Sequence, residues 1–351
     1  MDKTAVAGLG MPLVELAMAY QRSRVVCAAA RLGIADSLAA GERSVDELAV
    51  ACSADASSLH RLLRALCCVG LVAETQPGRF VLTNAGQPLR RDAPHSAWPA
   101  VVFWADLLAD NWSSLTECVR TGQTAAMLRP EIVTRWRDDP EASAIFRAVM
   151  GTSGSADYLP IARAWDFSRA RVVADLGGGG GALLEAILVA YPGVRGMLVD
   201  RESSVEAARP RFASPSLVDR AELVTCDLTE AVPAGADVYI LKHVLHGYAD
   251  DAAADILRHC RGVVPSGGRM LIVEFVLPEV IDRPDPAIEA RIMSDLNMLA
   301  VTGGKERTSS EWRRLLGRPG LRCEGIFPVP GDLVSIIEAS CESERSSALS
   351  A

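Results

Sequence analysis

The chain has 351 residues, which is long enough for two domains with a sizeable core. Its 36 basic and 44 acidic residues leave a net charge of -8, and this balance argues against broad contact with nucleic acid or with an anionic membrane. No uninterrupted apolar run approaches the length of a membrane span, and the opening segment MDKTAVAGLG lacks a signal-peptide layout, so a cytoplasmic location is expected.

Residues 11–40 are predicted to form two helices rich in small apolar side chains. The apolar positions are too many for the single stripe that an ordinary amphipathic helix buries. A second copy of the chain that covers the excess would account for them. We therefore expect a homodimer held largely through residues 1–100.

The next segment has the pattern of a winged helix-turn-helix. Ser44 and Glu47 have the spacing of a capping box at the start of a short helix over residues 45–51. A second helix is predicted over residues 56–69, where leucines recur at helical spacing, and a small hairpin over residues 71–82.

Such a unit supports two hypotheses of different class, a DNA-binding regulator or a packing and dimerisation module. The polar side chains of the would-be recognition helix that have the reach to contact DNA are His60, Arg61 and Arg64, in a domain with many acidic residues. This is a thin electrostatic footprint for a DNA-binding protein. The dimerisation module is favoured, and an electrophoretic shift at low salt would separate the two hypotheses.

The segment from residue 97 to residue 166 is predicted to be helical and is rich in aromatic residues. Each aromatic residue taken singly is compatible with packing between domains, but the concentration of the group between two domains favours a pocket for a flat aromatic substrate. The residues concerned are Trp98, Phe103, Trp104, Trp112, Trp136, Phe146, Tyr158 and Trp165.

The stretch RVVADLGGGGG, residues 171–181, is predicted to form a strand, a tight glycine turn and the start of a helix. The turn alone leaves three interpretations open: a nicotinamide dinucleotide site, a purely structural turn, or a site for a ligand with cationic groups. Asp175 stands two residues before Gly177, and a fixed carboxylate attracts an ammonium or sulfonium group and repels phosphate. The spacing D-x-G-x-G-x-G, which continues through Gly179, resembles motif I of the S-adenosylmethionine (SAM) methyltransferases.

From this turn onward strands and helices alternate, which predicts a mostly parallel, doubly wound sheet. The second strand, over residues 195–199, ends at Asp200, where NAD sites and SAM sites alike hold a ribose diol. The third strand, over residues 221–225, is followed by Asp227 and Leu228, which suit an adenine amino group and the adenine ring. A role for Asp227 as the cap of the following loop is equally compatible with its position.

The fourth strand, predicted over residues 236–241, leads into the segment KHVLH. Lys242, His243 and His246 therefore fall at the edge where open α/β sheets bind their ligands. As a metal pair, the two histidines lack a Cys, an Asp or a further His at a sensible spacing, so no metal is expected. One of them is expected to be a base, because a pKa of about 6.5 suits removal of a phenolic proton at neutral pH.

The fifth strand, over residues 269–275, carries Glu274 among apolar residues. Because burial of a lone carboxylate would cost several kcal/mol, Glu274 is expected to be paired or hydrogen-bonded, and an imidazole N–H would fit. Further on, residues 303–309 are predicted to cap a helix, and Glu306 is by default a surface charge in its first turn.

Four segments, ADLGGGGG, LKHVLH, IVEFVLP and GGKERT, occur together in the order and spacing of one family, and FRAVM adds a fifth point of similarity. The chain resembles the SAM-dependent small-molecule O-methyltransferases, a class that includes plant caffeic acid-type enzymes and bacterial antibiotic-tailoring enzymes. The resemblance covers about residues 11–340. One departure is Gly247, which follows His246 at a position where the family commonly has an aspartate.

The resemblance implies roles for individual residues. His246 would be the general base, with Glu274 and Glu306 beside it. SAM, released as S-adenosylhomocysteine, would be bound by Asp175, Gly177, Gly179, Asp200, Asp227, Leu228 and Lys242. The substrate pocket would include Trp104, Phe146, Met150, Asn297 and Met298. No metal is implied.

The predicted fold class is α/β, with a Rossmann-like SAM-methyltransferase domain built on a mostly parallel seven-stranded sheet and a mainly helical N-terminal winged-helix domain. The predicted divisions are a winged-helix dimerisation domain at residues 1–97, a helical linker that contributes to the substrate pocket at 98–166, the SAM-binding domain at 167–341 and a disordered tail at 342–351.

The predicted function is transfer of a methyl group from SAM to a hydroxyl, of phenolic type, on a small aromatic natural-product intermediate. The alternatives are a SAM-dependent C-methyltransferase or a non-methylating SAM-binding relative and, more distantly, the DNA-binding regulator. The expected partners are the aromatic substrate and a second copy of the chain, with no nucleic acid and no membrane.

Overall fold

A computed structural model of the chain describes residues 11–132, 139–151 and 155–341. The described residues divide into two compact units. Unit 1 comprises those within Met1–Asp110 and Val133–Val149, and unit 2 comprises those within Asn111–Ile132 and Met150–Ala351. The domain boundaries drawn from the sequence stay a prediction, and both Trp136 and the predicted tail at 342–351 lie outside the described residues.

Unit 1 opens with three helices where the sequence predicted two. They span Met11–Met18, Tyr20–Arg31 and Ile34–Ser37. The prediction of two helices over residues 11–40 was wrong because Gly33 adopts a left-handed backbone with φ 67°, which ends one helix and begins another.

The predicted winged helix-turn-helix elements are present in unit 1. The helix Val45–Ala51 begins with the predicted capping box, in which the Glu47 N–H donates to Ser44 Oγ at 3.2 Å and the Ser44 N–H donates to Glu47 Oε2 at 2.6 Å. The next helix is Ala56–Cys68. The wing is a three-stranded antiparallel sheet in the order β1-β3-β2, with β1 at Arg43–Ser44, β2 at Val72–Gln76 and β3 at Arg79–Leu82.

The described residues between 86 and 170 form short helical elements. The α-helices are Trp98–Val102, Ala109–Ser113, Leu115–Thr121, Ala125–Leu128, Pro140–Gly151 and Leu159–Arg163. A π-helical turn covers Phe103–Leu107, and 3₁₀ turns cover Gln87–Leu89, Ser155–Tyr158 and Phe167–Arg169.

The main sheet of unit 2 contains strands β4 (Val172–Leu176), β5 (Arg195–Asp200), β6 (Ala221–Thr225), β7 (Val238–Lys242), β8 (Arg269–Leu277), β9 (Arg307–Thr308), β10 (Leu321–Pro328) and β11 (Val334–Cys341). Seven of them follow the order β10-β11-β8-β7-β4-β5-β6, and the short β9 pairs with β8 beside this path. The strands β4 to β9 pair in parallel, while β10 and β11 are antiparallel. The mostly parallel sheet is thus confirmed, with β9 as an eighth strand.

Helices cover both faces of this sheet. They span Ala182–Ala190, Glu202–Phe212, Asp250–Val263, Pro286–Val301 and Ser309–Gly317, and Leu245–Gly247 is a 3₁₀ turn. Successive side chains of β7 enter opposite cores: Val238 and Ile240 join one apolar cluster, and Tyr239 and Leu241 join the other. Burial on both faces is why these strands are almost continuously apolar.

The carboxyl ends of the parallel strands meet at one edge of the sheet. Because β7 lies between β4 and β8, the glycine turn after β4 and the segment after β7 are neighbours there. In the part of the chain that the structure describes, no helix combines the length and apolar character needed to cross a bilayer.

Candidate active site

The turn after β4 requires glycine for two reasons: its backbone adopts positive φ angles, and there is little room for a side chain. Gly177, Gly179 and Gly181 have φ of 68°, 55° and 76°, which side-chain-bearing residues rarely adopt. A Cβ on Gly177 would lie 2.7 Å from Val244 Cγ2, so the turn also packs tightly against the segment after β7.

Asp175, the residue before the last of β4, has a buried carboxyl group without partners. The residue is 1% exposed, and neither carboxyl oxygen has a hydrogen-bond partner among the described residues. Burial raises the pKa of Asp175 to about 7, against the opposing effect of the nearby Lys242 ammonium. Because a buried polar group without a partner is costly, this carboxyl suits a ligand that brings a positive charge to it.

Asp200 is the last residue of β5, and Asp227 follows the end of β6 by two residues, as predicted. Asp200 Oδ2 accepts the Gly179 N–H at 2.8 Å, which ties the carboxylate to the glycine turn. Asp227 Oδ1 accepts from Thr229 N at 2.9 Å and from Thr229 Oγ1 at 2.7 Å, so it does cap the following loop. Leu228 is buried, with its Cδ1 3.7 Å from where a Cβ of Gly177 would lie.

Glu274 is fully buried in β8 and binds the segment after β7. Its Oε1 accepts the N–H of Val244 at 3.0 Å and of His246 at 3.3 Å. Its Oε2 lies 3.2 Å from His243 Nδ1 and 3.6 Å from His246 Nδ1. The expectation that Glu274 is hydrogen-bonded, with an imidazole among its partners, is confirmed.

The turn of the chain at His243 brings both imidazoles to this carboxylate. His243 has φ 51°, in the left-handed region, and the next residues form the 3₁₀ turn Leu245–Gly247. The rings of His243 and His246 then stack with their centroids 5.1 Å apart.

Glu306 is buried, so its default assignment as a surface charge was wrong. Its Oε1 lies 2.7 Å from His246 Nδ1 and accepts from Ser294 Oγ at 2.8 Å, and its own N–H donates to Asp295 Oδ1 at 2.9 Å. The reason is tertiary: Glu306 directly precedes β9, which pairs with the end of β8 and so carries the carboxylate inward.

The two carboxylates set the charge of the imidazole between them. Burial acts to lower the pKa of His246, but the charges of Glu274 and Glu306 outweigh burial and hold the pKa above its usual 6.5. For Glu274, burial acts to raise the pKa, but the two histidines together with a backbone N–H hold it below its usual 4.5. The arrangement therefore stabilises an imidazolium beside carboxylates.

The same side chains have donor atoms close enough for a metal ion. One ligand atom each from His243, His246 and Glu274 lies within 4.8 Å of the others. The sequence argument considered Cys, Asp and His as a third ligand, whereas the group found here includes Glu274, which β8 supplies from a distant part of the chain. His243 Nδ1 is also hydrogen-bonded to Glu274 Oε2, and the absence of a metal requirement stays a prediction.

Comparison with known proteins identifies the family. A family profile described as an O-methyltransferase domain matches residues 112–322, and one described as an O-methyltransferase dimerisation domain matches residues 14–91. The chain is 34% identical to O-demethylpuromycin-O-methyltransferase of Streptomyces alboniger, over 97% of this chain and 91% of that one. The chain belongs to the O-methyltransferase family.

Two further relatives bear on the cofactor and on the atom that is methylated. A crystal structure of an O-methyltransferase from neocarzinostatin biosynthesis, in complex with SAM and 2-hydroxy-5-methyl naphthoic acid, has a TM-score of 0.78 and 34% identity, and covers 91% of this chain and 96% of that one. An 8-amino-8-demethylriboflavin N,N-dimethyltransferase of Streptomyces davaonensis is 34% identical over 96% of both chains. The protein described here is a SAM-dependent O-methyltransferase, as the resemblance implied.

The residues around the glycine turn of this O-methyltransferase fit SAM. SAM carries an ammonium and a sulfonium group and no phosphate, which matches the unpartnered buried carboxyl of Asp175. The ammonium of Lys242 acts on this carboxyl, and its Nζ lies 4.9 Å from the ring centroid of Tyr158.

The predicted substrate residues of the O-methyltransferase belong to both units. In unit 1, the rings of Trp104 and Phe146 lie 5.1 Å and 6.0 Å from the ring of Phe103. In unit 2, Met150 is exposed, while Asn297 and Met298 are buried on the helix Pro286–Val301, and Asn297 Oδ1 accepts from Trp112 Nε1 at 3.2 Å. Their role in substrate binding stays a prediction.

Two residues beside His246 and Glu306 of the O-methyltransferase were not predicted from the sequence. Ser294 gives no signal because a single serine within a helix has no distinctive pattern. Arg307 directly follows Glu306, and its burial is visible only in the folded chain, where its side chain is 0% exposed.

Proposed function

We propose that the protein transfers the methyl group of SAM to a phenolic hydroxyl of a small aromatic intermediate in natural-product biosynthesis, with His246 as the general base. The observation that carries the proposal is the 2.7 Å contact between His246 Nδ1 and Glu306 Oε1. A proton on Nδ1 donates to this carboxylate, which leaves Nε2 as the ring nitrogen that accepts a proton. Glu274, 3.6 Å away on the same side of the ring, supports the imidazolium that forms.

The reaction we propose is an in-line displacement without a metal. SAM supplies an electrophilic methyl group on a sulfonium that leaves readily. The work left to the protein is to align the acceptor hydroxyl, exclude water and remove the hydroxyl proton at His246 Nε2. The proton then resides on the imidazolium, between two buried carboxylates.

The SAM contacts we propose follow the edge of the sheet. Asp175 faces the cationic groups, with Gly177 and Gly179 allowing close approach, and Lys242 lies beside them. Asp200 binds the ribose hydroxyls. Asp227 has one carboxyl oxygen occupied by Thr229, so its other oxygen is the one proposed for the adenine amino group, with Leu228 against the ring.

The acceptor class rests on the relatives. The named compounds are aromatic, and include a demethylated puromycin and a hydroxynaphthoic acid. The N,N-dimethyltransferase supports an aromatic amine as a second candidate acceptor.

The test is a panel of phenols, hydroxyquinones, aromatic amines and carbon nucleophiles, each incubated with the protein and SAM. Mass spectrometry detects the added methyl, and NMR assigns the atom that carries it. We expect methylation of a phenolic oxygen. A product methylated at nitrogen or carbon alone would replace the proposal with that chemistry.

We also propose that the protein is a homodimer in the cytoplasm. The dimerisation profile supports the first part, together with the exposed apolar residues Leu13 and Leu16, which are 73% and 72% exposed in the single chain. Burial of these two side chains against a second copy would remove apolar surface from water, which is favourable.

A further inference from the structure

Arg307 is fully buried, and its side-chain nitrogens make four hydrogen bonds and one further ion-pair contact. Nε donates to Asp250 Oδ1 at 3.0 Å, and Nη2 reaches the same oxygen at 2.9 Å. The remaining bonds go to three backbone carbonyls: Leu245 and Lys305 from Nη1 at 3.1 Å and 3.2 Å, and Tyr248 from Nη2 at 2.9 Å. Because burial of an unpaired guanidinium is very costly, these four acceptor oxygens make the geometry around Arg307 specific.

The three carbonyls belong to the two segments that carry the base and its carboxylate. Leu245 is the first residue of the turn that contains His246, and Tyr248 directly follows that turn. Lys305 directly precedes Glu306. One guanidinium therefore binds the backbone on both sides of the hydrogen bond between His246 and Glu306.

The two segments also touch directly. A Cβ on Gly304 would lie 2.0 Å from the carbonyl oxygen of His246 and 2.6 Å from the amide nitrogen of Tyr248, so only glycine permits this approach. The separation of the segments is thus set by backbone contact at Gly304 and by the bonds of Arg307. The ring of Trp312, with its centroid 5.2 Å from the guanidinium carbon, closes one side of Arg307.

We propose that Arg307 is a positioning residue that fixes the distance and angle between His246 and Glu306. It touches neither reacting group, and acts by holding the turn Leu245–Gly247 against the segment before β9. The inference rests on the proposed function, in which His246 is the base. A lysine cannot replace Arg307 in this role, because the three donors of an ammonium group all lie on one nitrogen and cannot span carbonyls on two segments.

The test is Arg307→Lys, with His246 followed by NMR in the whole protein. The chain has five histidines, and His246→Ala assigns the His246 signal. We expect the pKa of His246 to fall, since Glu306 no longer supports the imidazolium, and the acid limb of the kcat profile to move to lower pH with it. We expect kcat to fall by about 10-fold to 100-fold while the Kd for SAM changes by less than about 2-fold.

Arg220→Lys is the matched control. Arg220 also binds carbonyls, those of Leu188, Tyr191 and Val194, but it precedes β6 and so lies at the opposite edge of the sheet from His246. We expect a loss of thermal stability there without a change in the His246 titration.

The proposal is overturned if Arg307→Lys leaves the His246 titration and the kcat of folded protein at wild-type values, or if Arg220→Lys shifts the titration equally.

If Arg307→Lys does not fold, the variant Asp250→Asn tests the proposal instead. It removes the charge that anchors the guanidinium at a half-exposed position, and we expect a smaller fall in the pKa of His246; no fall overturns the proposal. The NMR titration does not require catalytic turnover. If His246→Ala kept its activity, His246 would not be the base, but the titration would still test whether Arg307 positions His246 and Glu306.

Discussion

His246 makes no hydrogen bond through Nε2 with the described residues, while Nδ1 faces two carboxylates. If Nε2 takes the hydroxyl proton, His246→Ala should lower kcat by about 10²-fold to 10⁴-fold and leave the Kd for SAM near wild type. Steady-state kinetics and calorimetry measure the two quantities. His95→Ala, an exposed histidine of unit 1, is the control that should keep full activity. Retention of most activity in His246→Ala, with a pH dependence that follows the acceptor, would instead mean that the acceptor is already ionised in solution.

A change at Glu274 tests the same base through the pKa of His246. The neutral imidazole is the active form, so the rate rises with pH through the pKa of His246, which Glu274 and Glu306 hold above 6.5. Glu274→Gln keeps the shape and removes a charge that favours the imidazolium, so the acid limb should move to lower pH and kcat should fall by less than in His246→Ala. A profile of kcat against pH measures the shift. An unmoved acid limb would show that Glu274 does not tune the base.

Asp175 predicts that SAM binding depends on pH. Without a ligand, burial holds its pKa at about 7, with Asp200 acting in the same direction and Lys242 acting against it. The cationic groups of SAM favour the ionised carboxylate, so the affinity for SAM should rise as the pH rises through about 7, with release of a proton on binding. Calorimetry in buffers of different ionisation enthalpy counts the protons. Asp175→Asn should bind SAM weakly and without this pH dependence, and a wild-type affinity that is constant across this range would contradict the prediction.

At the scale of elements, the strand-turn-helix after β4 depends on Gly177. An alanine there would be strained at φ 68°, and its Cβ would lie 2.7 Å from Val244 Cγ2. We expect Gly177→Ala to lower the free energy of unfolding by about 1–2 kcal/mol or more and to weaken SAM binding by about tenfold. Chemical denaturation and calorimetry check both effects. Gly193→Ala, where a Cβ meets nothing within 4 Å and φ is not positive, should behave as wild type; equal behaviour of the two variants would show that the turn tolerates a side chain.

The element boundaries show where local pattern suffices. Strand β6 has the predicted bounds, and the capping box at Ser44 is formed, because both depend on neighbours in the chain. Strand β7 was predicted to begin at residue 236 but begins at Val238. Asp237, directly before Val238, bonds to β4 in two ways: its own N–H donates to the Val172 carbonyl at 2.9 Å, and its carboxylate accepts the N–H of Arg171 and of Val172. Val172 and Asp237 are 65 residues apart in the sequence, so no local sequence pattern predicts this contact.

At the scale of the whole molecule, the first helix predicts an oligomer. Leu13 and Leu16 of Met11–Met18 are largely exposed in the single chain. If a second copy covers them, the protein is a dimer at micromolar concentration, and changing both residues to glutamate should produce a monomer by placing charges in an apolar contact. Light scattering with size exclusion measures the mass. Val218→Glu, an exposed apolar position of unit 2, is the control that should stay dimeric, and a monomeric wild type would refute the prediction.

The amino-acid sequence by itself determined the parallel sheet, the glycine turn and the placement of Asp175 near the end of β4 and of His246 in the segment after β7, because these follow from short-range periodicity and from backbone requirements of glycine. The tertiary structure decided which groups meet at His246. Glu306 follows His246 by 60 residues and is buried only because β9 pairs with β8, and Glu274 becomes a shared partner of two histidines only because β7 and β8 are adjacent. Arg307 shows the same principle most clearly: the segment GGKERT contains it as a single letter, but its proposed role depends on four acceptor oxygens that packing brings from separate segments. Burial and hydrogen-bond satisfaction are properties of the folded chain, so no local pattern contains them.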